Sequence, residues 1–134
     1  MAETALSIAR EKAAGRGIDA AFVVADALHL YRLGLVFETV LDCGLFHTFD
    51  GDERPVYVAG LASVTSRGGN LYVLCFSDVG PDTCGPHPVS QEELRASFKR
   101  SGGWSVASVS PDRILTRFDA QGAPAWLARI ERIQ

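Results

Sequence analysis

Residues 37–50 read FETVLDCGLFHTFD, and the interpretation of the whole chain starts from this stretch. Residues 37–41 form an apolar run that predicts a buried strand. Asp42 ends this run, and Phe46 and His47 follow a few residues later. An acid and aromatic rings at the carboxyl end of a strand are what a ligand crevice in an α/β sheet needs. The same pattern also fits an ordinary strand-to-helix turn in which Asp42 is a capping acid.

Composition disfavours several classes of protein. The chain has 134 residues, 47% of them hydrophobic and 22% charged, which fits one ordinary globular domain. With 13 basic and 16 acidic residues the net charge is −3, and no run of Lys or Arg offers a surface for nucleic acid or for an anionic membrane. The first residues lack the apolar core of a secretory signal, and no window has the roughly 20 apolar residues of a membrane span.

The three cysteines, Cys43, Cys75 and Cys84, are odd in number and far apart in the sequence. Their spacing matches neither a disulfide framework nor a CxxC zinc motif. The sequence therefore predicts a reduced, cytoplasmic protein without a metal site.

Apolar periodicity and chain-breaking residues divide the sequence into helices and strands. Ser90 and Glu93 form a capping-box pattern that starts the third helix. The predicted helices are residues 2–15, 50–67 and 90–100. The predicted strands are residues 18–24, 37–41, 70–76, 104–109, 113–118 and 125–133. One buried side of the second helix is predicted to carry Val56, Tyr57, Leu61 and Val64.

The alternation of these elements predicts an α/β fold. We expect a mostly parallel sheet with helices on both faces and a C-terminal antiparallel strand. The first predicted strand ends in Ala25-Asp26, and the connection to the second is then only residues 28–36, whereas a crossover between parallel neighbours takes about a dozen residues or more. Those two strands are therefore not expected to be neighbours, and other strands belong between them.

Several motifs, in order along nearly the whole chain, resemble the class I S-adenosylmethionine-dependent methyltransferases, and look most like the small-molecule branch that includes thiopurine-type enzymes. The matching stretches are AETALSIAREKA, FVVADALHL, FETVLDCGLFHTF, SRGGNLYVLCFSD, GPHPVSQEELRASF and PAWLARIERI. They correspond to the region from the helix after the family's second strand to its final antiparallel strand. The resemblance implies a Rossmann-like fold, S-adenosylmethionine as cofactor, and methyl transfer to a small molecule.

The chain departs from this family at its beginning. The family starts with a strand, a GxGxG loop and a helix, and its second strand ends in an acid that holds the ribose. In this chain the glycine clusters lie at predicted helix ends instead. The family sheet order 3-2-1-4-5-7-6 places the first two strands between residues 18–24 and 37–41. We therefore expect residues 1–134 to be one N-terminally truncated methyltransferase-like domain in which cofactor binding and activity are weak or lost.

The resemblance implies that part of a cofactor site is kept. In the family, an acid at the position of Asp26 bonds the adenine amino group, and the next backbone amide, here that of Ala27, assists it. A ring at the position of Phe46 either flanks the sulfonium, where cation–π attraction contributes on the order of 0.5–2 kcal/mol, or packs beneath the loop. The implied cofactor-binding residues are Asp26, Ala27, Asp42, Cys43, Phe46 and His47.

Two of these residues are also candidate catalytic residues. Asp42 would orient the substrate, or act as a base if burial raises its pKa. His47 is the best general-base candidate among the three histidines. The alternative for Asp26 and Asp42 is a turn acid that bonds nearby amides. Residues 79–89 form either part of a substrate lid or a plain surface loop.

Three functional hypotheses follow. In the first, the chain is the C-terminal part of a small-molecule methyltransferase. In the second, it is a non-catalytic relative that acts as an oligomerising or binding module, with the exposed edge of residues 37–41 recruiting a second copy directly or by a domain swap. In the third, it is another α/β nucleotide-binding domain, which a sheet order incompatible with that of the methyltransferases would favour.

Overall fold

A computed structural model describes residues 3–79, 88–117 and 121–134. The α-helices are α1 (Glu3–Gly15), α2 (Glu53–Val64) and α3 (Gln91–Ser97). The strands are β1 (Phe37–Cys43), β2 (Thr65–Phe76), β3 (Trp104–Ile114) and β4 (Ala123–Arg132). Short 3₁₀ segments span Ala27–Leu33, Phe46–Thr48 and Arg100–Gly102.

The four strands form one mixed sheet in the order β1-β2-β4-β3. β1 and β2 are parallel, and β4 is antiparallel to both of its neighbours. This confirms the α/β fold class and the antiparallel final pair. The order equals strands 4-5-7-6 of the methyltransferase sheet, so the condition that would have favoured an unrelated nucleotide-binding fold is not met.

The core lies between the sheet and the helices α2 and α3. Along β2 the side chains of Leu71, Val73 and Cys75 point to this side and are 0% exposed. Tyr57 and Leu61 of α2 pack against them, as do residues of α3. Full burial of a large apolar side chain stabilises the fold by roughly 1.5–3 kcal/mol, so this layer holds the domain together.

Gly69 allows β1 and β2 to approach each other where the ladder shifts register. A Cβ at this position would lie 2.7 Å from the carbonyl oxygen of Glu38. Only glycine fits there, because that distance is shorter than any ordinary contact of a carbon with an oxygen.

The predicted strand at residues 18–24 does not form. These residues have no regular secondary structure and pair with no described strand, and Val23 and Val24 are 63% and 48% exposed. A strand needs a neighbour for its backbone hydrogen bonds, and no described strand lies beside this run. We call residues 3–26, which comprise α1 and this run, the N-terminal arm. No residue of α1 is buried.

Several predicted boundaries were also wrong. The second helix ends at Val64, because the residues after it pair with β1 through Thr65 and Phe37. Val56 is 50% exposed, although the other three residues predicted on that side are buried. The third helix ends at Ser97.

The last two predicted strands before β4 are one continuous strand. β3 runs through Pro111, which a strand tolerates at the edge of a sheet where no ladder bond is lost. β4 begins at Ala123, earlier than predicted. The capping box at Ser90 is confirmed, since its Oγ accepts the Glu93 N–H at 3.0 Å.

Some predictions concern residues outside the described ranges. Cys84, His87 and most of the predicted loop 79–89 lie there. Cys43 and Cys75 are both free thiols. None of the helices within residues 3–79, 88–117 and 121–134 is long and apolar enough to cross a bilayer.

Candidate functional site

The chain turns a corner at the carboxyl end of β1, and this corner contains most of the predicted site residues. Gly44 has φ +83°, a backbone conformation that favours glycine, and its N–H continues the ladder to the Leu74 carbonyl at 2.9 Å. The 3₁₀ turn Phe46–Thr48 follows directly. We call residues 42–49 the β1 corner.

Asp42 holds the corner together. Its Oδ1 accepts the N–H of Leu45 at 2.9 Å and that of Phe46 at 3.4 Å. Its Oδ2 accepts the hydroxyl of Tyr57 at 2.7 Å. The residue is only 4% exposed. Asp42 therefore satisfies the first amides of the 3₁₀ turn, as the turn-acid alternative describes, and it links the corner to α2.

Burial sets the protonation chemistry of this cluster. It raises the pKa of Asp42, while the hydrogen bonds from Tyr57, Leu45 and Phe46 oppose that shift. It also raises the pKa of Tyr57, with the Asp42 charge adding to the effect, so the phenol stays protonated and donates. Burial raises the pKa of Cys75 to about 12, with Asp42 nearby as a second cause. Cys75 is therefore an inert thiol at neutral pH.

His47 ties the corner to the end of β2. Its Nδ1 accepts the backbone N–H of Phe76 at 3.1 Å, and its ring stacks on the Phe76 ring with centroids 4.3 Å apart. The residue is 4% exposed. Since Nδ1 acts as an acceptor, it carries no proton in this arrangement.

Phe46 lies beneath the corner and is fully buried. The Arg54 guanidinium sits 4.7 Å from its ring centroid, and Phe98 packs at 5.6 Å. Arg54 also bonds Glu93 at 3.1 Å and the Phe49 carbonyl at 3.3 Å, whereas its buried Nε has no partner among the described residues. The cation over Phe46 in this structure is thus a residue of the chain itself.

Asp26 belongs to a separate group at the start of the 3₁₀ segment Ala27–Leu33. Its carboxylate accepts the Leu28 N–H at 2.9 Å and pairs with His29 Nδ1 at 2.8 Å. The Leu28 amide, followed by the His29 interaction, holds the pKa of Asp26 below its ordinary value. Ala27 is half-buried against the core.

The surface that the corner offers to a ligand differs from the set of predicted residues. Asp42, Phe46 and His47 are buried, while Cys43 is exposed and Leu45 is 39% exposed. A molecule beyond the carboxyl end of β1 would therefore meet the backbone and side chains of residues 43–45. The buried residues support this surface from behind.

Sequence reasoning missed Tyr57 and Arg54 as partners of the corner. It placed Tyr57 on the buried side of α2, but helical spacing gives no information about which polar atom its hydroxyl meets. Across the described ranges, no group of three or more His, Cys, Asp or Glu side chains could hold a metal ion. The arrangement can position a ligand at the strand end and keep a buried carboxylate in a fixed orientation.

The strand order matches part of the Rossmann-like α/β fold that S-adenosylmethionine-dependent methyltransferases have. A methyltransferase of this class from Clostridium acetobutylicum superposes with a TM-score of 0.76 over 98% of this chain and 72% of that chain, at 10% sequence identity. At this identity the likeness shows the fold alone. No protein-family model matches the chain.

Sequence similarity accompanies the fold in two comparisons. The chain is 35% identical over 121 residues to a 2-heptyl-1-hydroxyquinolin-4(1H)-one methyltransferase of Mycobacteroides abscessus, which covers 88% of this chain and 52% of that protein. It is 32% identical, with a TM-score of 0.79, to a protein solved in connection with the conversion of a disulfide bond into a thioacetal group during echinomycin biosynthesis, over 98% of this chain and 63% of that chain. The chain spans about half the length of the curated relative it matches. The thiopurine-type branch stays a prediction.

Proposed function

We propose that the chain supplies the β1-corner part of an S-adenosylmethionine-dependent methyltransferase whose acceptor is a small molecule. The main evidence for this function is the strand order β1-β2-β4-β3, in which the parallel strands β1 and β2 end together at the corner. Open α/β sheets bind ligands just outside the carboxyl ends of such strands. The 35% identity to a methyltransferase named for a small molecule supports the same function.

In this function the residues of the corner act mainly by positioning the methyl donor and the acceptor. S-adenosylmethionine, when bound, supplies a methyl group on a sulfonium. Transfer depends on alignment of donor and acceptor and on exclusion of water. Asp42 holds the backbone at Leu45 by accepting its amide, and His47 anchors the corner to the Phe76 amide of β2. The backbone of residues 43–45 then forms the contact surface. The catalytic roles of Asp42 and His47 remain predictions, and their burial and hydrogen bonds favour positioning.

The described residues fit one wall of a cofactor site. Asp26 is exposed, so its carboxylate can accept a further hydrogen bond from an adenine amino group. Cys43 and Leu45 lie where a ligand at the strand end would contact them. Phe46 would first have to be uncovered, because Arg54 occupies its ring face.

We further propose that this chain by itself binds the cofactor weakly or not at all. These 134 residues contain no GxGxG pattern, and the resemblance assigns none of them to the ribose-binding acid. A charge-assisted hydrogen bond is worth about 1.5–3 kcal/mol, so the loss of two lowers the affinity by about 10²–10⁴. Calorimetry with S-adenosylmethionine tests this, and micromolar binding would contradict it.

The reading frame upstream of the Met1 codon provides the test of the function. A strand, a GxGxG loop and a helix are expected there, and the longer product should methylate a small molecule, with 2-heptyl-1-hydroxyquinolin-4(1H)-one as the first acceptor to try by mass spectrometry. Gly44→Ala strains the corner and should reduce transfer. Gly34→Ala is the matched control, because Gly34 has φ +65° with no atom near its Cβ position. An upstream reading frame that encodes none of these elements would contradict the proposal.

As the alternative, we propose that the chain is an oligomerising module in which β1 pairs with a second copy. Leu41 and Phe37 on this strand are 69% and 44% exposed. The N-terminal arm pairs with no described strand of its own chain, so it is a segment that two copies could exchange. Unpaired strand edges recruit partners, either edge to edge or by exchange of an arm. Sedimentation should detect a dimer that Leu41→Lys weakens and Leu115→Lys, at a 77% exposed position after β3, leaves intact. Equal dimerisation of both variants would show that the β1 edge is not the dimer interface.

A further inference from the structure

A groove between α2 and α3 is unused by the proposed function. It encloses about 610 Å³, which is within the range of small-molecule sites. The residues of the β1 corner do not line it, although Arg54 and Gly51 next to that corner do. Its apolar lining residues are Pro55, Val58, Ala59, Ala62, Ala96 and Trp104.

The two ends of the groove differ in charge. At one end the Arg54 guanidinium is neutralised by Glu93, whose carboxylate would repel an anion. At the other end lies Lys99, which is exposed. Arg132 does not line the groove, but its guanidinium is 5.5 Å from the ring centroid of Trp104, which does. Within the described residues, neither Lys99 nor Arg132 pairs with a carboxylate. Only the second end therefore favours an anionic group.

Of these two described cations, Arg132 is already fixed by the protein, so Lys99 is the one that can meet a ligand. Arg132 donates to the carbonyl of Gly103 at 2.8 Å and to that of Ala62 at 3.4 Å. Between the two ends, α2 runs from Arg54 to Ala62, a distance of about 12 Å at the rise of an α-helix. The groove is thus apolar along its length and cationic at one end.

We propose that this groove binds a single-chain amphiphile with an anionic head, such as a medium-chain carboxylate. The alkyl chain lies between α2 and α3 over Val58, Ala59 and Ala96, and the carboxylate contacts the ammonium of Lys99. The small side chains of the two alanines leave the width that a methylene chain needs. This site is independent of the proposed methyl transfer.

Titration of the full chain with decanoate, below its micelle concentration, tests the proposal by calorimetry and by amide chemical shifts. Decanoate should bind saturably, shift the amides of α2 and α3, and bind more tightly than decanol. Ala59→Trp should fill the groove and weaken decanoate binding at least about tenfold. Ala14→Trp on the exposed face of α1 is the matched control and should bind as the unchanged chain does. If Ala59→Trp unfolds the protein, Ala96→Phe takes its place.

Lys99→Gln separates the contribution of the carboxylate head group to binding from that of the alkyl chain. Because the ammonium is exposed, its loss should weaken decanoate binding only about two- to fivefold and abolish the preference over decanol. Lys12→Gln on α1 is the control for net charge. Unchanged binding of decanoate to Ala59→Trp, equal binding of decanol and decanoate to the unchanged chain, or no saturable binding would each overturn the proposal.

Discussion

Residues 18–24 (IDAAFVV) and residues 70–76 (NLYVLCF) are both short apolar runs that predict buried strands. The second is the centre of the sheet, paired on both sides, and Leu71 and Val73 are 0% exposed. The first is unpaired, and Val23 is 63% exposed. The difference shows that an apolar run becomes a strand only where neighbours complete its hydrogen bonds and cover its side chains.

The largest expected effect comes from the buried run. Leu71→Ala should lower the free energy of unfolding by about 2–5 kcal/mol, since it leaves a cavity in the core. Leu35→Ala, at a 57% exposed position before β1, is the matched control and should change it by less than about 0.5 kcal/mol. Urea denaturation measures both. Similar losses for the two variants would mean that Leu35 is covered in solution.

The next effect concerns the link between the β1 corner and α2. Tyr57→Phe removes the hydroxyl that donates to Asp42 and leaves a buried carboxylate oxygen without its donor. We expect a loss of about 1–3 kcal/mol in urea denaturation. Tyr31→Phe, at a 58% exposed tyrosine, is the control. No difference between the two variants would contradict the role of this bond in fixing the corner.

A smaller effect follows from the pKa of Asp42. Its folded pKa lies above the ordinary value of 3.8, so the folded state binds the proton more tightly than the unfolded state. Asp42 therefore contributes its full stabilisation below its ordinary pKa of 3.8, and this stabilisation is lost as the pH rises through the folded pKa. Relative to Asp42→Asn, the unchanged chain should gain stability as the pH falls from neutral towards 4. The opposite trend in urea denaturation at several pH values would refute the raised pKa.

The smallest effect is expected in the arm. Val24→Lys should change the free energy of unfolding by less than about 0.5 kcal/mol, because the position is 48% exposed and unpaired. Measurement at two protein concentrations sharpens the comparison. A larger loss that grows with protein concentration would show that the arm pairs with a second copy, as the oligomerising alternative requires.

The sequence predicted the parts of the fold that depend on local patterns. The strand before Asp42, the capping box at Ser90 and the helix α1 all follow from spacing and end residues, and the structure contains them. The predictions from the sequence failed where strand pairing overrides the local conformational preference of a residue. Thr65 joins β2 rather than ending a helix, because β1 offers it a partner, and Pro111 stays within β3 because an edge strand tolerates it.

For the candidate site, the sequence found the corner but not its construction. Asp42 and His47 stand out as polar residues after an apolar strand. Their partners, the Tyr57 hydroxyl and the Phe76 amide, are 15 and 29 residues away in sequence. Contacts at such separations depend on the packing of α2 and β2, which no local pattern encodes.

The sequence by itself therefore determined the α/β class, the acid and rings at the end of β1, and the order of motifs shared with methyltransferases. Only the tertiary structure decided that Asp42 and His47 face inward, that Cys43 and Leu45 form the exposed surface, and that residues 18–24 remain unpaired. The physical reason is that side-chain patterns specify which residues prefer burial, whereas hydrogen-bond partners and coverage come from elements distant in the chain.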